Sequence, residues 1–199
     1  LERGANPNQA MTNGHTPLLI AAEEDHVGIV TALLANGADP NFVTTDEYGV
    51  TPLFVAAQEG SVDVATTLMV HGAKPNQART IDGATPLYAA AQGGHVDVAT
   101  ALLENGAESN QEKTTDGRTP LFIAAYYGNV EHVEVVIALL ERGANPNQAM
   151  TNGHTPLFIA AQRGNVGIVT ALLAHNAKPN QAMPNGATPL FVAAEKGHV

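Results

Sequence analysis

The tripeptide Thr-Pro-Leu begins at Thr16, Thr51, Thr85, Thr119, Thr155 and Thr188, at successive spacings of 35, 34, 34, 36 and 33 residues. A period of this length means a stacked array, in which one small element recurs and buries its apolar side only against its neighbours. Only stacking closes the core of such a chain, and function belongs to its outer surfaces. A second coincidence lies on the first. The letters LERGANPNQAMTNGHTPL fill residues 1–18 and again 140–157, a displacement of 139 residues that equals the first four spacings together. The array therefore also repeats as a block of four units.

One unit can be read from residues 155–187. The Thr155 hydroxyl suits a helix N-cap, and Pro156 suits the first helical position, where a missing N–H costs nothing. Leu157, Ala160 and Ala161 give a narrow apolar face, and the small Ala side chains admit a close neighbour. Gly164 ends this helix and a second begins near Asn165, with Val166, Val169, Leu172 and Leu173 at helical spacing. A polar connector with a turn at Asn185-Gly186 leads to the next unit.

Helix–turn–helix–hairpin units carrying Thr-Pro-Leu, then Ala-Ala, then a Gly-Ala-x-Pro-Asn connector resemble ankyrin repeats. The resemblance spans the chain and recurs six times. It implies an all-α fold with short hairpin-like loops, an ankyrin-repeat α-solenoid formed as a curved, right-angled stack of helix pairs. The family usually places His after Thr-Pro-Leu, whereas this chain has Leu19, Phe54, Tyr88, Phe122, Phe158 and Phe191. Apolar and aromatic packing is expected there in place of a polar bond between repeats.

Residues 1–199 read as one continuous array, with units starting near 16, 51, 85, 119, 155 and 188 and the last incomplete. From each Thr to the next Gly-Ala (Asn-Ala in the fifth unit) there are 21 residues, except in the fourth, with 24. Three residues are nearly one turn. Either the second helix of unit four starts one turn early, or the loop before it is longer. The start at Leu1, in mid-unit, and the stop at Val199 suggest a window on a longer array with its native N-terminus missing. The four-unit block further implies a lengthened helix before Leu1.

The formal charge of −10 argues against nucleic acid, which needs a basic footprint. No apolar run approaches the roughly 20 residues that span a bilayer. The absence of Cys excludes disulfides and favours an intracellular, cytoplasmic setting. Catalysis and cofactors are not expected. Among the eight His residues no pair stands at i, i+4, so a metal site is not expected. His26, His95 and His198 fall at the start of second helices, where a structural role fits them. Glu23–Glu24 and Asp46–Glu47 are adjacent in sequence, and adjacent helical side chains do not face each other for paired acid–base work.

The resemblance implies a cupped shape, with first helices and hairpin tips lining the concave side. On that side the residues after Ala-Ala are Glu23-Glu24, Gln58-Glu59, Gln92-Gly93, Tyr126-Tyr127, Gln162-Arg163 and Glu195-Lys196. Tyr126 and Tyr127 are the candidate anchors, because Tyr offers a rigid surface with a polar tip. Glu23, Glu24, Asp46, Glu47 and Glu59 are candidates to steer a basic partner segment. Tyr48, Arg79, Ile81, Lys113, Arg118 and His154 are further tip candidates, with Gln58 and Arg163 on the helix strip. The expected function is non-catalytic protein binding by a monomer. The alternatives are a structural or elastic spacer, or the targeting arm of a larger protein with an enzymatic domain elsewhere.

Overall fold

The computed structural model describes residues 4–198. Among them the chain forms helix pairs and no strand: α1 (Pro17–Glu23) with α2 (Val27–Ala35), α3 (Pro52–Glu59) with α4 (Val62–Val70), α5 (Pro86–Gly93) with α6 (Val96–Glu104), α7 (Pro120–Tyr127) with α8 (Val130–Glu141), and α9 (Pro156–Arg163) with α10 (Val166–Ala174). α11 (Pro189–Lys196) closes the described segment. First helices pack on first helices in chain order, second helices on second helices, and each first helix on its own second helix. The result is the two-layered, all-α solenoid.

Each first helix starts where the sequence places it. Thr16, Thr51, Thr85, Thr119, Thr155 and Thr188 are extended N-caps whose hydroxyls accept the amide three residues on, and Pro follows in the first turn. Behind the cap, Leu18, Leu53, Leu87, Leu121 and Leu157 are buried. Ala56, Ala57, Ala90, Ala91, Ala124 and Ala125 have no exposed surface, so neighbouring first helices meet almost backbone to backbone. Second helices close by a common device. The amides of Ala38, Ala73, Ala107, Ala144 and Ala177 return to the carbonyls of Leu33, Leu68, Leu102, Leu139 and Leu172 across a left-handed residue. That residue is Gly in four units and Asn176 (φ 66°) in the fifth, which explains why Asn-Ala replaces Gly-Ala there.

Neighbouring units are tied by asparagine. Asn8 donates to the carbonyl of Gly37 (2.9 Å) and accepts from the amide of Asp39 (2.7 Å). Asn41 does the same with Gly72 and Lys74, Asn76 with Gly106 and Glu108, Asn110 with Gly143 and Asn145, and Asn147 with Asn176 and Lys178. A side-chain amide can donate and accept at once, so each one clasps a helix end in the next unit.

The three extra residues of unit four are helix. α8 has 12 residues where the other second helices have 9. The added turn lies at its start, because His132 occupies the place in the stack that His95 holds one unit earlier. His95 Nε2 lies 3.0 Å from the carbonyl of Gln58, and His132 Nε2 lies 3.0 Å from that of Gln92. Asn129 caps the new turn by accepting the amide of His132. The longer α8 also reaches α5 in the preceding unit.

In α10 the buried residues are Ile168 and Leu172, whereas Val166 and Leu173 are 65% and 44% exposed. Met69 of α4, the counterpart of Leu173, is buried between second helices. The flank of α10 that carries Leu173 faces no second-layer helix among the described residues, so equal helical spacing does not give equal burial.

Replacing Asn76 by Ala removes two hydrogen bonds between units and leaves a helix-end carbonyl unpaired. The expected loss is about 1–3 kcal/mol, read as a lower urea midpoint by circular dichroism. An unchanged midpoint would show that water replaces the clasp without cost.

Candidate partner-binding surface

The first-helix face is built from the C-terminal turns of α1, α3, α5, α7, α9 and α11 and from the hairpins between units. The hairpins close by backbone bonds such as Arg79 N–H to the Ala84 carbonyl, Lys113 to Arg118 and Met150 to His154, each 2.9 Å. Adjacent hairpins are joined side by side, Thr80 to Gly49, Thr114 to Asp82 and Thr151 to Asp116.

Beneath them lies the row that departs from the family pattern. Leu19, Phe54, Tyr88, Phe122 and Phe158 are each at most 4% exposed, so this position is apolar packing from unit one to unit five; Phe191 is 61% exposed. The first residue of the following hairpin covers the ring. The Arg79 guanidinium lies 5.2 Å from the Phe54 centroid and the Lys113 ammonium 5.3 Å from that of Tyr88. Burial raises the Tyr88 phenol to about 12. His154 meets Phe158 edge-on at 4.9 Å, and burial lowers its imidazole below the usual range.

Asp82 holds the two covering cations. Arg79 grips it with two bonds of 2.7 Å, Lys113 Nζ lies 2.6 Å away, and the Ala84 amide donates to it at 3.1 Å. The Arg79 bond above all, against the opposing effect of burial, keeps this carboxyl far below the ordinary carboxylate range. Arg79 and Lys113 are therefore committed to the protein's own aromatic rings and carboxylate.

Asp46 is likewise turned inward. Its carboxylate accepts from the Thr44 hydroxyl (2.8 Å) and the amides of Tyr48 and Gly49 (3.0 Å each), and lies 3.2 Å from His15 Nε2. Burial pushes its pKa up, but the bonds from Gly49, Thr44, His15 and Tyr48 outweigh this, and the net shift is downward. It shapes the longest hairpin. Glu23, Glu24, Glu47, Gln58 and Glu59 are exposed, as are the tip residues Tyr48 (50%) and Ile81 (48%).

The two tyrosines divide. Tyr126 is half-buried against the core, its ring lying 3.8 Å from the Arg163 guanidinium and 5.9 Å from that of Arg118, which also pairs with Asp116 at 3.2 Å. Tyr127 is 50% exposed, stacks on His132 at 5.8 Å, and its hydroxyl lies 3.4 Å from Gln92 Nε2. The extra turn of α8 thus supports Tyr127 from behind. Two clefts open on this face. One of about 350 Å³ is lined by Glu23, Tyr48, Gln58 and Glu59, the other of about 420 Å³ by Gln58, Tyr88, Gln92 and Tyr127, and both reach Arg79. Among the described residues, no three His, Asp or Glu side chains gather as metal ligands.

Helix pairs stacked in two layers, joined by hairpins and lined with exposed polar and aromatic side chains on one face, define a helical-repeat scaffold. A family model for ankyrin repeats (3 copies) matches residues 1–79, 68–150 and 131–199. The chain belongs to the ankyrin-repeat family. No curated protein matches it. Ankyrin repeats are in general protein–protein interaction modules, and the fold is typically non-enzymatic. No described helix is long and apolar enough to cross a membrane.

Asp82 makes stability depend on pH. A carboxyl whose folded pKa is depressed stabilises the fold above its unfolded value of about 3.9, and the contribution fades as pH falls below it. Asp82→Asn should cost about 2 kcal/mol near pH 7 in urea unfolding, with the deficit against the parent shrinking below about pH 4. A deficit that stays constant down to pH 2.5 (an acid endpoint roughly 1.4 units below the reference value) would mean that packing, not charge, is lost.

Proposed function

We propose that the helix pairs act as one continuous array that binds a partner protein, without catalysis, along the first-helix face and the hairpin tips. The reading rests on the comparison of matched units. Residues 1–18 and 140–157 are identical, and so are the second helices VGIVTALLA at 27–35 and 166–174, yet Glu23-Glu24 becomes Gln162-Arg163 on the open face. An array serving only as a spacer has no need to vary there while its outer layer stays fixed. Tyr127 is the proposed anchor, since it is half exposed and held by His132 and Gln92, whereas Tyr126 serves as a shelf for Arg163. The exposed carboxylates Glu23, Glu24, Glu47 and Glu59 favour a basic approach on the N-terminal side.

A photo-crosslinking residue placed at Tyr127, and separately at Val70 on the second-helix layer (77% exposed), tests the face directly. Adducts are expected from position 127 and not from position 70. With the captured partner in hand, Tyr126→Ala/Tyr127→Ala should weaken binding by about 2 kcal/mol or more, roughly 30-fold. Equal capture from position 70, or unchanged affinity in the double variant, would favour the spacer.

A further inference from the structure

Eight residues beyond each capping Thr stand Glu24, Glu59, Gly93, Tyr127, Arg163 and Lys196. All six are exposed and lie at the C-terminal ends of first helices that pack in series, so they form one row along the open face. The row changes sign. Four units apart, LIAAEE becomes FIAAQR and FVAAQE becomes FVAAEK, so that in both matched pairs a carboxylate at this place is exchanged for a cation. The neighbouring place shows no such order, running Glu23, Gln58, Gln92, Tyr126, Gln162 and Glu195. Charge over the chain follows the row. Residues 1–100 hold 3 Lys/Arg and 11 Asp/Glu, and residues 101–199 hold 6 and 8.

The two ends of the row do not neutralise each other. With packed helices about 8–10 Å apart, Glu24 and Arg163 stand several Debye lengths from one another at physiological salt. No ion pair among the described residues involves Glu24 or Glu59. At the other end Lys196 approaches only its exposed neighbour Glu195, at 3.7 Å. Midway, Gly93 and the exposed ring of Tyr127 line one cleft.

We propose that this face takes a linear segment of a partner protein that is itself polarised. Its basic end lies on units one and two, its acidic end on units five and six, and an apolar or aromatic residue between them enters the cleft between Gln58 and Tyr127. The segment gains at both ends in one orientation and is repelled at both ends in the other, so the row sets direction as well as affinity. Five helix spacings correspond to about 45 Å, or about 13 extended residues. This inference rests on the reading that the first-helix face binds protein.

The test uses two synthetic peptides of 14 residues (the length follows from the roughly 3.3 Å rise per extended residue) with one composition. The first has a Lys block, a central Leu-Tyr stretch and a Glu block, and the second alternates Lys with Glu around the same centre. Each carries a nitroxide beside its first Lys and is titrated into the isotopically labelled chain at low salt. The polarised peptide should bind at least tenfold more tightly, and its nitroxide should broaden amides of α1 and α3 most. The variant Glu24→Arg, Glu59→Lys, Arg163→Glu, Lys196→Glu keeps the net charge of −10 and should move the broadening to α9 and α11. Equal affinity for the two peptides, or broadening that stays on α1 and α3 in the swapped variant, overturns the inference while leaving the first-helix face as the binding face. Broadening confined to the second helices overturns that reading too. A free chain that sediments as a dimer and excludes the peptide overturns the proposal in favour of a second copy.

Discussion

The structure depends on how the chain is held just beyond the end of each second helix. A helix leaves its last carbonyls without partners; here the returning backbone amides take them up, and the left-handed residue that allows this return turns its own carbonyl toward the preceding connector. One asparagine per connector reaches into the next unit, donates to that carbonyl, of Gly in four units and of Asn176 in the fifth, and accepts the amide two residues on. Two bonds to a rigid helix end fix both distance and rotation between units. Given that geometry, Ala-Ala faces can touch, hairpins can pair sideways, and the next hairpin's first residue falls over the aromatic ring behind it. Hydrophobic burial supplies the driving force, but the asparagines choose the arrangement.

Much of this was legible in the sequence, because it follows from period and local chemistry. Thr-Pro starts, Gly164 as the end of its first helix and the apolar face of the first helices stand where the letters place them, and the extra turn of α8 was one of two readings that the three surplus residues allow. Other features depend on residues a full unit away. The Pro-Asn connector reads only as polar until its partner amide in the next unit is known. Arg79 and Lys113 read as projecting tips and Asp46 as a steering carboxylate, yet Asp82, Phe54, Tyr88 and the Thr44–Gly49 loop draw them inward. His132 gave no signal, since the surplus residues displace it from the position that His95 marks. Side-chain direction in irregular hairpins is set by neighbours, not by periodicity.

The inward turn of those cations bears on the open face. Arg79 and Lys113 are compensated by Asp82, so the middle of the face offers rings and amides and little free charge. Apart from Glu47 on the first hairpin, the charges proposed to meet a partner lie on the last turns of the first helices. There a side chain can change without disturbing a cap, a clasp or a buried ring, and matched units differ there while their second helices keep the same letters.

The asparagine clasps also have a mechanical side. Each unit holds only its neighbours, so tension along the stack would load the clasps one after another, and the array would part at its weakest seam instead of everywhere together. The seam between units three and four is reinforced, because α8 reaches α5 there, beside an asparagine clasp and a His132–Gln92 contact like that of His95 with Gln58 one seam earlier. Under tension, that seam has an additional helix contact to break before units three and four come apart.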